Sequence, residues 1–215
     1  MSQKEFSFDE LKDADLIVDA VYKGGNFKDV RDDPLCKLMG CSNQGGFRIV
    51  GNSETSEYKF AVLYSTLLDP DWPDGLDLEN GLFVYYGDNK KPGHELHDTP
   101  KKGNKLLRFC FEQIHNKPPN RDRVPPFFVF TKGAQGRDVI FNGLAVCGSQ
   151  MTKPTEDLIA IWKSSNGRRF QNYRAVFTIL NVPFISRVWI NDLFAGKSLS
   201  ENCPKAWRIW IESGN

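Results

Sequence analysis

The sequence predicts an α+β fold built on a curled, barrel-like, mostly antiparallel β-sheet with a few helices. Apolar segments with strand character recur roughly every 10–15 residues, whereas helical periodicity is confined to short stretches. Aromatic residues make up 13% of the 215 residues and supply large side chains for a core. Because no internal repeat or low-complexity linker divides the chain, we expect a single domain over residues 1–215.

The amino-terminal segment predicts a short helix followed by extended backbone. Ser7 fits an N-cap, and Glu10 three residues later completes a capping box. Apolar residues at alternate positions from Leu16 to Tyr22 then allow an extended segment. Residues 23–46 contain two Gly-Gly pairs and predict a loop.

The middle of the chain predicts strands joined by short turns. "FRIVG" and "YKFAVLYST" flank a polar turn, and the second has the apolar density of a sheet interior. "DPDWPDGLDLENGLFVYYGDN" then predicts an ordered loop that leads into a strand over residues 82–86. Alternation along that strand places its two adjacent tyrosines on opposite faces of the sheet.

The second half predicts one clear helix and several strands. "KLLRFCFEQIHN" has apolar residues on one helical face, and "ISRVWINDLFAG" predicts a second, shorter helix. A hairpin turns at Asn166-Gly167. Further strands are predicted in "PPFFVFTKG", "RDVIFNGLAVCG" and "AWRIWIES".

Composition limits the cellular location and the kinds of partner that we expect for this protein. With 28 basic and 27 acidic residues the formal charge is +1, so any nucleic-acid contact must come from local patches. Five cysteines, an odd number, indicate reduced thiols of a cytosolic protein. No apolar stretch approaches the length of a membrane span, and the first ten residues lack a signal-peptide core. We therefore expect a soluble, cytoplasmic protein with no membrane partner.

Catalytic motifs are scarce. No phosphate loop, dinucleotide fingerprint or hydrolase motif occurs, and His94-x-x-His97 lacks cysteine partners for a metal site. Glu57-Tyr-Lys59 has the E-x-K pattern of many nuclease sites but no preceding metal-binding acid. The sequence predicts no enzyme activity of this chain alone, no cofactor, no metal and no small-molecule substrate. A small metal-dependent nuclease using Glu57 and Lys59, or a general protein-interaction domain, remain the alternatives.

Basic side chains cluster in loops beside the aromatic and acidic segment. Taken singly, each run is typical of a solvated turn, but together they favour contacts with a phosphate backbone. We also include the second Gly-Gly loop, which could enter a groove or fill the place of a displaced base. The predicted DNA-binding residues are Gln44, Arg48, Lys90, Lys91, Lys101, Lys102, Lys105, Arg168 and Arg169.

Three segments carry a family resemblance: "ADLIVDAVYKGG", "DDPLCKLMGCSNQGGFR" and "DWPDGLDLENGLFVYYGDNKKPGHELHDTPKKGNKLLR". They resemble the amino-terminal recognition domain of modification-dependent restriction endonucleases of the AspBHI/MspJI type. That domain is similar to the SET- and RING-associated (SRA) fold, which binds methylated DNA and flips 5-methylcytosine out of the duplex. The likeness covers most of the chain and is strongest over residues 14–108.

The resemblance implies a pocket for the modified base. In the SRA pattern an aromatic-acidic loop precedes a strand ending in F-x-Y-x-G, which Phe83, Tyr85 and Gly87 match. Trp72 and either Asp71 or Asp74 would supply the loop, and the choice between the aspartates stays open.

Physical chemistry independently supports a base pocket in this segment. A flipped base loses stacking and pairing, so its pocket must offer aromatic faces and hydrogen bonds to its Watson–Crick edge. Trp72 and Tyr85 can be those faces, and an aspartate can accept from the cytosine N4 amine while disfavouring the thymine O4 acceptor. The methyl group would then rest near Tyr86 and Gly87.

The resemblance also implies the partners. The expected ligand is double-stranded DNA containing 5-methylcytosine or 5-hydroxymethylcytosine. In the family, cleavage belongs to a separate carboxy-terminal nuclease domain, and no segment after Ile211 resembles one. We therefore expect this chain to be the recognition module of a longer endonuclease.

Overall fold

The computed structural model describes residues 3–43 and 45–214. Its strands are β1 (Glu5–Phe6), β2 (Leu16–Ile17), β3 (Val21–Tyr22), β4 (Phe47–Asn52), β5 (Glu57–Ser65), β6 (Gly75–Asp77), β7 (Leu82–Tyr86), β8 (Phe127–Lys132), β9 (Val139–Cys147), β10 (Leu158–Ser165), β11 (Arg168–Ile179) and β12 (Phe184–Ile185). Its α-helices are α1 (Pro34–Met39), α2 (Gly103–His115), α3 (Arg187–Phe194) and α4 (Lys205–Ser213). Short 3-10 helices occur at Phe8–Glu10, Val30–Asp32 and Arg121–Arg123.

Within the described residues, ten of these strands form one sheet. Its main path runs β4-β5-β8-β9-β11-β7-β6, with β10 beside β11 and the short β3 and β1 beside β9. Most neighbours are antiparallel; β5–β8 and β1–β3 are the parallel pairs. The predicted α+β class with a mostly antiparallel sheet is therefore confirmed, but the sheet does not close into a barrel because β4 and β6 remain its two ends.

The hairpins form where turn chemistry predicts them. Asn166 and Gly167 both adopt positive φ, 51° and 71°, as a tight turn between β10 and β11 requires. Strand β7 has the predicted bounds, and its two tyrosines point to opposite faces: Tyr85 packs in the core, and Tyr86 contacts Trp72 on the other side. The alternation in the sequence was therefore sufficient to orient both rings.

Aromatic side chains from the sheet and helices fill the core. Phe60, Phe128 and Phe177 are fully buried on three strands, and α3 and α4 add Trp189 and Trp207. Each ring of this size contributes roughly 1.5–3 kcal/mol by leaving water. The core is thus continuous from the sheet to the carboxy-terminal helices.

The carboxy-terminal segment corrects one expectation, because α4 replaces the predicted strand in "AWRIWIES". Trp207 and Trp210 are both buried while Ile209 is exposed, which is the three-residue spacing of a helical face. The apparent alternation of Arg, Ile, Trp and Ile concealed this period.

Helix α1 also lies in a segment predicted to be a loop. Asp33 accepts a hydrogen bond from the Leu35 N–H, Pro34 occupies the first turn, and Gly40 ends the helix in the left-handed conformation at φ 59°. At the amino terminus, the capping box of Ser7 and Glu10 is confirmed, but it begins only a 3-10 turn. No helix in the described ranges is both long and apolar enough to cross a membrane.

Candidate functional site

A cavity of about 320 Å³ opens where the curled sheet brings the ends of β5 and β7 together. The Tyr85 hydroxyl donates to the Tyr64 carbonyl oxygen at 3.4 Å across this gap. Gly46 passes so close that a Cβ there would lie 2.6 Å from the same carbonyl oxygen, so only glycine fits. The lining residues of this Asp74 cavity are Gly46, Phe47, Tyr64, Ser65, Thr66, Asp69, Asp74, Tyr85, Gly87, Asp88, Lys90 and Lys101.

Asp74 is fixed in the cavity wall by two hydrogen bonds. One carboxylate oxygen accepts from the Ser65 hydroxyl at 2.7 Å, and the other accepts from the Tyr86 backbone N–H at 2.9 Å. Burial raises the pKa of this carboxyl, while both hydrogen bonds and the nearby Lys90 ammonium oppose that rise. A carboxylate offers about four acceptor positions, so Asp74 keeps acceptor capacity for a ligand.

Two aromatic residues of the cavity lining, Phe47 and Tyr85, are buried and contact each other edge to face, with ring centroids 5.8 Å apart. Tyr64 contributes its backbone, because side chains alternate along β5 and it is the Ser65 side chain that reaches Asp74. The Tyr64 ring is half-buried on the opposite face, beside Asp33 and Arg48, and burial raises the pKa of its hydroxyl.

An ion pair spans two loops that flank the cavity. The Lys90 ammonium lies 3.5 Å from an Asp69 carboxylate oxygen. The other Asp69 oxygen accepts from the Asp71 and Trp72 N–H groups at 3.1 and 3.3 Å, which holds its loop in a tight turn. Lys101 adds a second basic side chain at the rim, close to Gly45.

A buried amide network fixes the part of the wall that Gly87 and Asp88 form. The Asn104 amide donates to the Asn172 side-chain oxygen at 3.0 Å, and the Asn172 amide donates to the Gly87 carbonyl at 3.0 Å. A Cβ at Gly87 would come within 1.8 Å of the Asn104 oxygen, so glycine is required. Asp88 then caps α2 by accepting from the Asn104 N–H at 2.8 Å. The loop carrying the lysines is thus anchored to β11 and α2.

The structure brings together three of the seven residues predicted for the base pocket: Asp74, Tyr85 and Gly87. The other four, which are Asp71, Trp72, Phe83 and Tyr86, do not line the cavity.

Trp72 is 5% exposed and packs on Tyr86 and Phe170, with ring centroids 5.7 and 6.1 Å away. Phe83 is fully buried in the core, and Asp71 is exposed with its carbonyl accepting from Lys163 at 2.6 Å. Of the two aspartates left open by the sequence, only Asp74 faces the cavity.

The predicted DNA-binding residues divide by position. Lys90 and Lys101 line the cavity, and Lys102 pairs with Asp98 at 2.9 Å. Lys91 is exposed, and Lys105 is half-buried on α2. Arg168 and Arg169 are exposed at the hairpin tip, and Gln44 lies outside the described residues.

Arg48 corrects the prediction of a groove-entering side chain. It is 4% exposed, and its guanidinium forms an ion pair with Asp33 at 2.7 Å and donates to the Gly45 carbonyl at 2.9 Å. A strand position facing the interior buries this charge, and Asp33 compensates it. Arg48 therefore holds the Gly-Gly loop to α1.

Sequence patterns missed most of the cavity wall. The part of the wall that they missed comes from β4, β5 and the loop after β5, namely Phe47, Tyr64, Ser65 and Asp69. These segments are distant in sequence from β7, and only the curl of the sheet brings them to Asp74. The sequence offered one indication of a site here, the polar pair Ser65-Thr66 at the end of an apolar strand.

The residues of the alternative nuclease site have other partners. Glu57 accepts from the Thr55 hydroxyl at 2.9 Å, and the Lys59 ammonium donates to the Phe194 carbonyl. His97 hydrogen-bonds with the Tyr173 hydroxyl at 2.7 Å. Across residues 3–43 and 45–214, no group of three acidic, histidine or cysteine side chains is arranged to hold a metal ion.

A larger cavity of about 430 Å³ lies at the opposite end of β7. Two polar groups of its lining bind each other: His115 lies 3.2 Å from Asp157, and the same carboxylate accepts from Thr152. We regard the Asp74 cavity, with a fixed acceptor, two aromatic rings and basic rim residues, as the candidate site.

Comparisons with known proteins identify the family. The family model described as restriction endonuclease AspBHI N-terminal matches residues 16–215. The DNA recognition domain of the cytosine modification-dependent restriction endonuclease LpnPI is 46% identical with a TM-score of 0.90, covering 100% of this chain and 95% of that one. The DNA modification-dependent restriction endonuclease AspBHI is 47% identical with a TM-score of 0.91, covering 99% and 97%.

A more distant structure shares the fold. MspJI in complex with a 27-mer oligonucleotide is 21% identical with a TM-score of 0.66, covering 93% of this chain and 52% of that one. A comparison with curated protein sequences returned no match. The family matches correspond to a recognition domain and not to a nuclease domain. The predicted family is confirmed: the chain belongs to the amino-terminal domains of modification-dependent restriction endonucleases typified by AspBHI.

Proposed function

We propose that this domain binds double-stranded DNA containing 5-methylcytosine and receives the flipped base in the Asp74 cavity. The observation that carries the proposal is the Asp74 carboxylate, held in a fixed orientation in the wall of a cavity lined by aromatic rings. A volume of about 320 Å³ is sufficient for a small heterocycle.

The chemistry of the cavity favours cytosine over thymine. Asp74 can accept a hydrogen bond from the cytosine N4 amine, whereas the thymine O4 would meet the carboxylate acceptor to acceptor. Ser65 and the Tyr86 N–H hold the carboxylate in place before the base arrives. This preorganisation limits the ordering cost of binding.

Tyr85 and Phe47 supply the aromatic surface of the cavity, and Trp72 does not. A flipped base loses its neighbours at a cost of a few kcal/mol, and an aromatic face recovers part of that cost. Tyr85 and Phe47 line the cavity, whereas Trp72 is covered by Tyr86 and Phe170. Gly87 offers backbone surface on which a methyl group can rest.

Basic rim residues suit a nucleotide whose phosphates remain outside. Lys90 and Lys101 lie at the mouth, where they can neutralise the backbone on either side of the flipped base. LpnPI is a cytosine modification-dependent and AspBHI a DNA modification-dependent restriction endonuclease, and their identities of 46% and 47% to this chain support a modified-cytosine ligand here.

We infer that residues 1–215 act as one recognition domain joined to a carboxy-terminal nuclease domain in the complete endonuclease. A cytoplasmic location fits the five cysteines, all of which are unpaired in the described chain.

A titration with three matched duplexes tests the function. One position carries cytosine, 5-methylcytosine or 5-hydroxymethylcytosine, and a fluorescent base analogue beside it reports flipping. We expect the wild type to prefer the modified duplexes and Asp74→Asn to lose about 10- to 100-fold in affinity for them, the value of a hydrogen bond to a charged group.

Asp71→Asn is the matched control, because this exposed carboxylate belongs to the same loop but not to the cavity. It should bind like the wild type. Equal affinity of the wild type for all three duplexes, or an equal loss in the two variants, would remove the cavity from the proposed function.

A further inference from the structure

The β10–β11 hairpin carries an exposed aromatic–arginine stack that the base cavity does not use. Trp162 is 58% exposed, and the Arg169 guanidinium carbon lies 4.8 Å from the centroid of its ring. The two residues are diagonal neighbours, since Arg169 pairs with Ser164, two residues beyond Trp162. A tryptophan this exposed on a strand edge buries little surface for folding, so its ring face is available to the Arg169 guanidinium.

The hairpin extends from the same end of the sheet as the Asp74 cavity. Tyr86 of β7 pairs with Arg174, and the Gly87 N–H donates to the Tyr173 carbonyl at 2.9 Å, so residues 161–172 of the hairpin project past the end of β7. Lys163 joins the hairpin to the loop at the cavity through its hydrogen bond to the Asp71 carbonyl. DNA whose base occupies the cavity would therefore run beside this hairpin.

The charge of the hairpin tip is uncompensated within the described residues. The ion pairs found there include neither Arg168 nor Arg169. Elsewhere, Arg31 also stacks on an exposed ring, that of Phe27 at 4.8 Å, but it pairs with Asp29 at 2.7 Å. Arg169 thus keeps its donors available for a partner with paired acceptors.

We propose that Trp162 holds Arg169 flat as a bidentate donor to the duplex that flanks the modified base. Stacking covers a face of the guanidinium and leaves its N–H edge exposed, the geometry that matches two adjacent acceptors. On DNA these acceptors are guanine O6 and N7 or two phosphate oxygens. This inference rests on the proposed function, because it assumes that a duplex lies against the cavity.

Binding measurements on one 5-methylcytosine duplex with Trp162→Ala, Trp162→Phe, Arg169→Lys and Arg169→Ala test the pair. We expect Trp162→Ala and Arg169→Lys each to weaken binding by about 5- to 20-fold, because each removes the fixed bidentate geometry. Trp162→Phe should recover most of the affinity. Arg123→Lys is the matched control, since Arg123 stacks on Phe109 at 5.3 Å on α2; it should bind like the wild type.

Two further measurements distinguish guanine from phosphate as the acceptor that Arg169 contacts. If Arg169 contacts guanine, 7-deazaguanine at one flanking position should weaken the wild type and leave Arg169→Lys unchanged. If Arg169 contacts phosphate, 7-deazaguanine should leave the affinity unchanged at every flanking position. Arg169→Ala should then reduce the salt dependence of DNA affinity by about one charge equivalent. Wild-type affinity in Trp162→Ala, or in Arg169→Lys, would overturn the proposal. Failure of the proposed function is a separate result: the wild type would bind modified and unmodified duplexes equally, while the variant-to-wild-type ratio still decides the pair.

Discussion

The Tyr85 hydroxyl donates to the Tyr64 backbone carbonyl at 3.4 Å, although their strands, β7 and β5, are separated by β8, β9 and β11 in the sheet. This contact exists because the sheet curls until strands far apart in its order meet at one end. The Asp74 cavity lies at that meeting point, and Gly46 provides the close approach that a side chain would prevent. The curl therefore creates the candidate site.

Replacing Tyr85 with leucine tests the aromatic surface of the cavity. We expect a loss of about 1–3 kcal/mol in binding to 5-methylcytosine DNA, or roughly 10- to 100-fold, with a smaller effect for Tyr85→Phe. Fluorescence titration gives the affinities. Tyr64→Leu is the control, because the Tyr64 ring lies on the other face of β5, beside Asp33 and Arg48; an equal loss in both variants would argue against stacking on Tyr85.

Replacing Trp72 with alanine should affect stability first. Trp72 is buried against Tyr86 and Phe170, with the Lys163 ammonium 5.0 Å from its ring centroid. Removing a buried indole costs about 3–5 kcal/mol of unfolding free energy, measurable in urea, and Trp72→Phe should restore part of it. Unchanged stability together with a selective loss of modified-DNA binding would instead support Trp72 as the stacking face.

The stability of Asp74→Asn should depend on pH relative to the wild type. Burial raises the pKa of Asp74 above its ordinary value of 3.8, so the folded state binds this proton more tightly than the unfolded state. The resulting stabilisation is complete below about pH 3.8 and is lost as the pH rises through the raised pKa. The asparagine variant lacks this titration.

We therefore expect the unfolding free energy of Asp74→Asn, minus that of the wild type, to increase over this interval and then level off. Chemical denaturation at a series of pH values measures the difference. A difference that does not change with pH, or one that decreases, would show that burial does not raise this pKa.

Lys101 and Lys102 should contribute unequally to binding of the DNA phosphates. Lys101→Ala should weaken modified and unmodified DNA equally and reduce the salt slope by about one charge equivalent. Lys102→Ala should have a smaller effect, because Lys102 does not line the cavity. Affinities over a range of salt concentrations decide this, and a Lys101→Ala loss restricted to methylated DNA would contradict a backbone role.

Arg48→Ala should lower the free energy of unfolding and leave the salt dependence of DNA binding unchanged. Removing one partner of the buried pair leaves Asp33 without its counter-ion, which costs about 3–5 kcal/mol. Thermal and urea unfolding measure the effect. The double variant Arg48→Ala/Asp33→Ala should be less destabilised than the sum of the single variants. Wild-type stability with a reduced salt slope would restore Arg48 as a phosphate contact.

The sequence by itself determined the fold class and the local elements whose signals are short-range. Alternation placed Tyr85 and Tyr86 on opposite faces, and Asn166-Gly167 specified the hairpin turn, since both depend only on neighbouring residues. The family resemblance likewise followed from long continuous segments, and the family is confirmed. In α4 the apolar residues fit both the alternation of a strand and the spacing of a helix, so the local pattern did not identify the element.

Only the tertiary structure decided which side chains share the cavity. Asp71 and Asp74 are equivalent in the sequence, but the turn at Asp69 and the hydrogen bond from the Tyr86 N–H direct Asp74 alone inward. Phe47 and Ser65 could not be identified as cavity residues, because their positions near Asp74 depend on the curl that joins β5 to β7. Burial of Trp72 and the compensation of Arg48 by Asp33 follow from the same long-range packing, which no short window of residues contains.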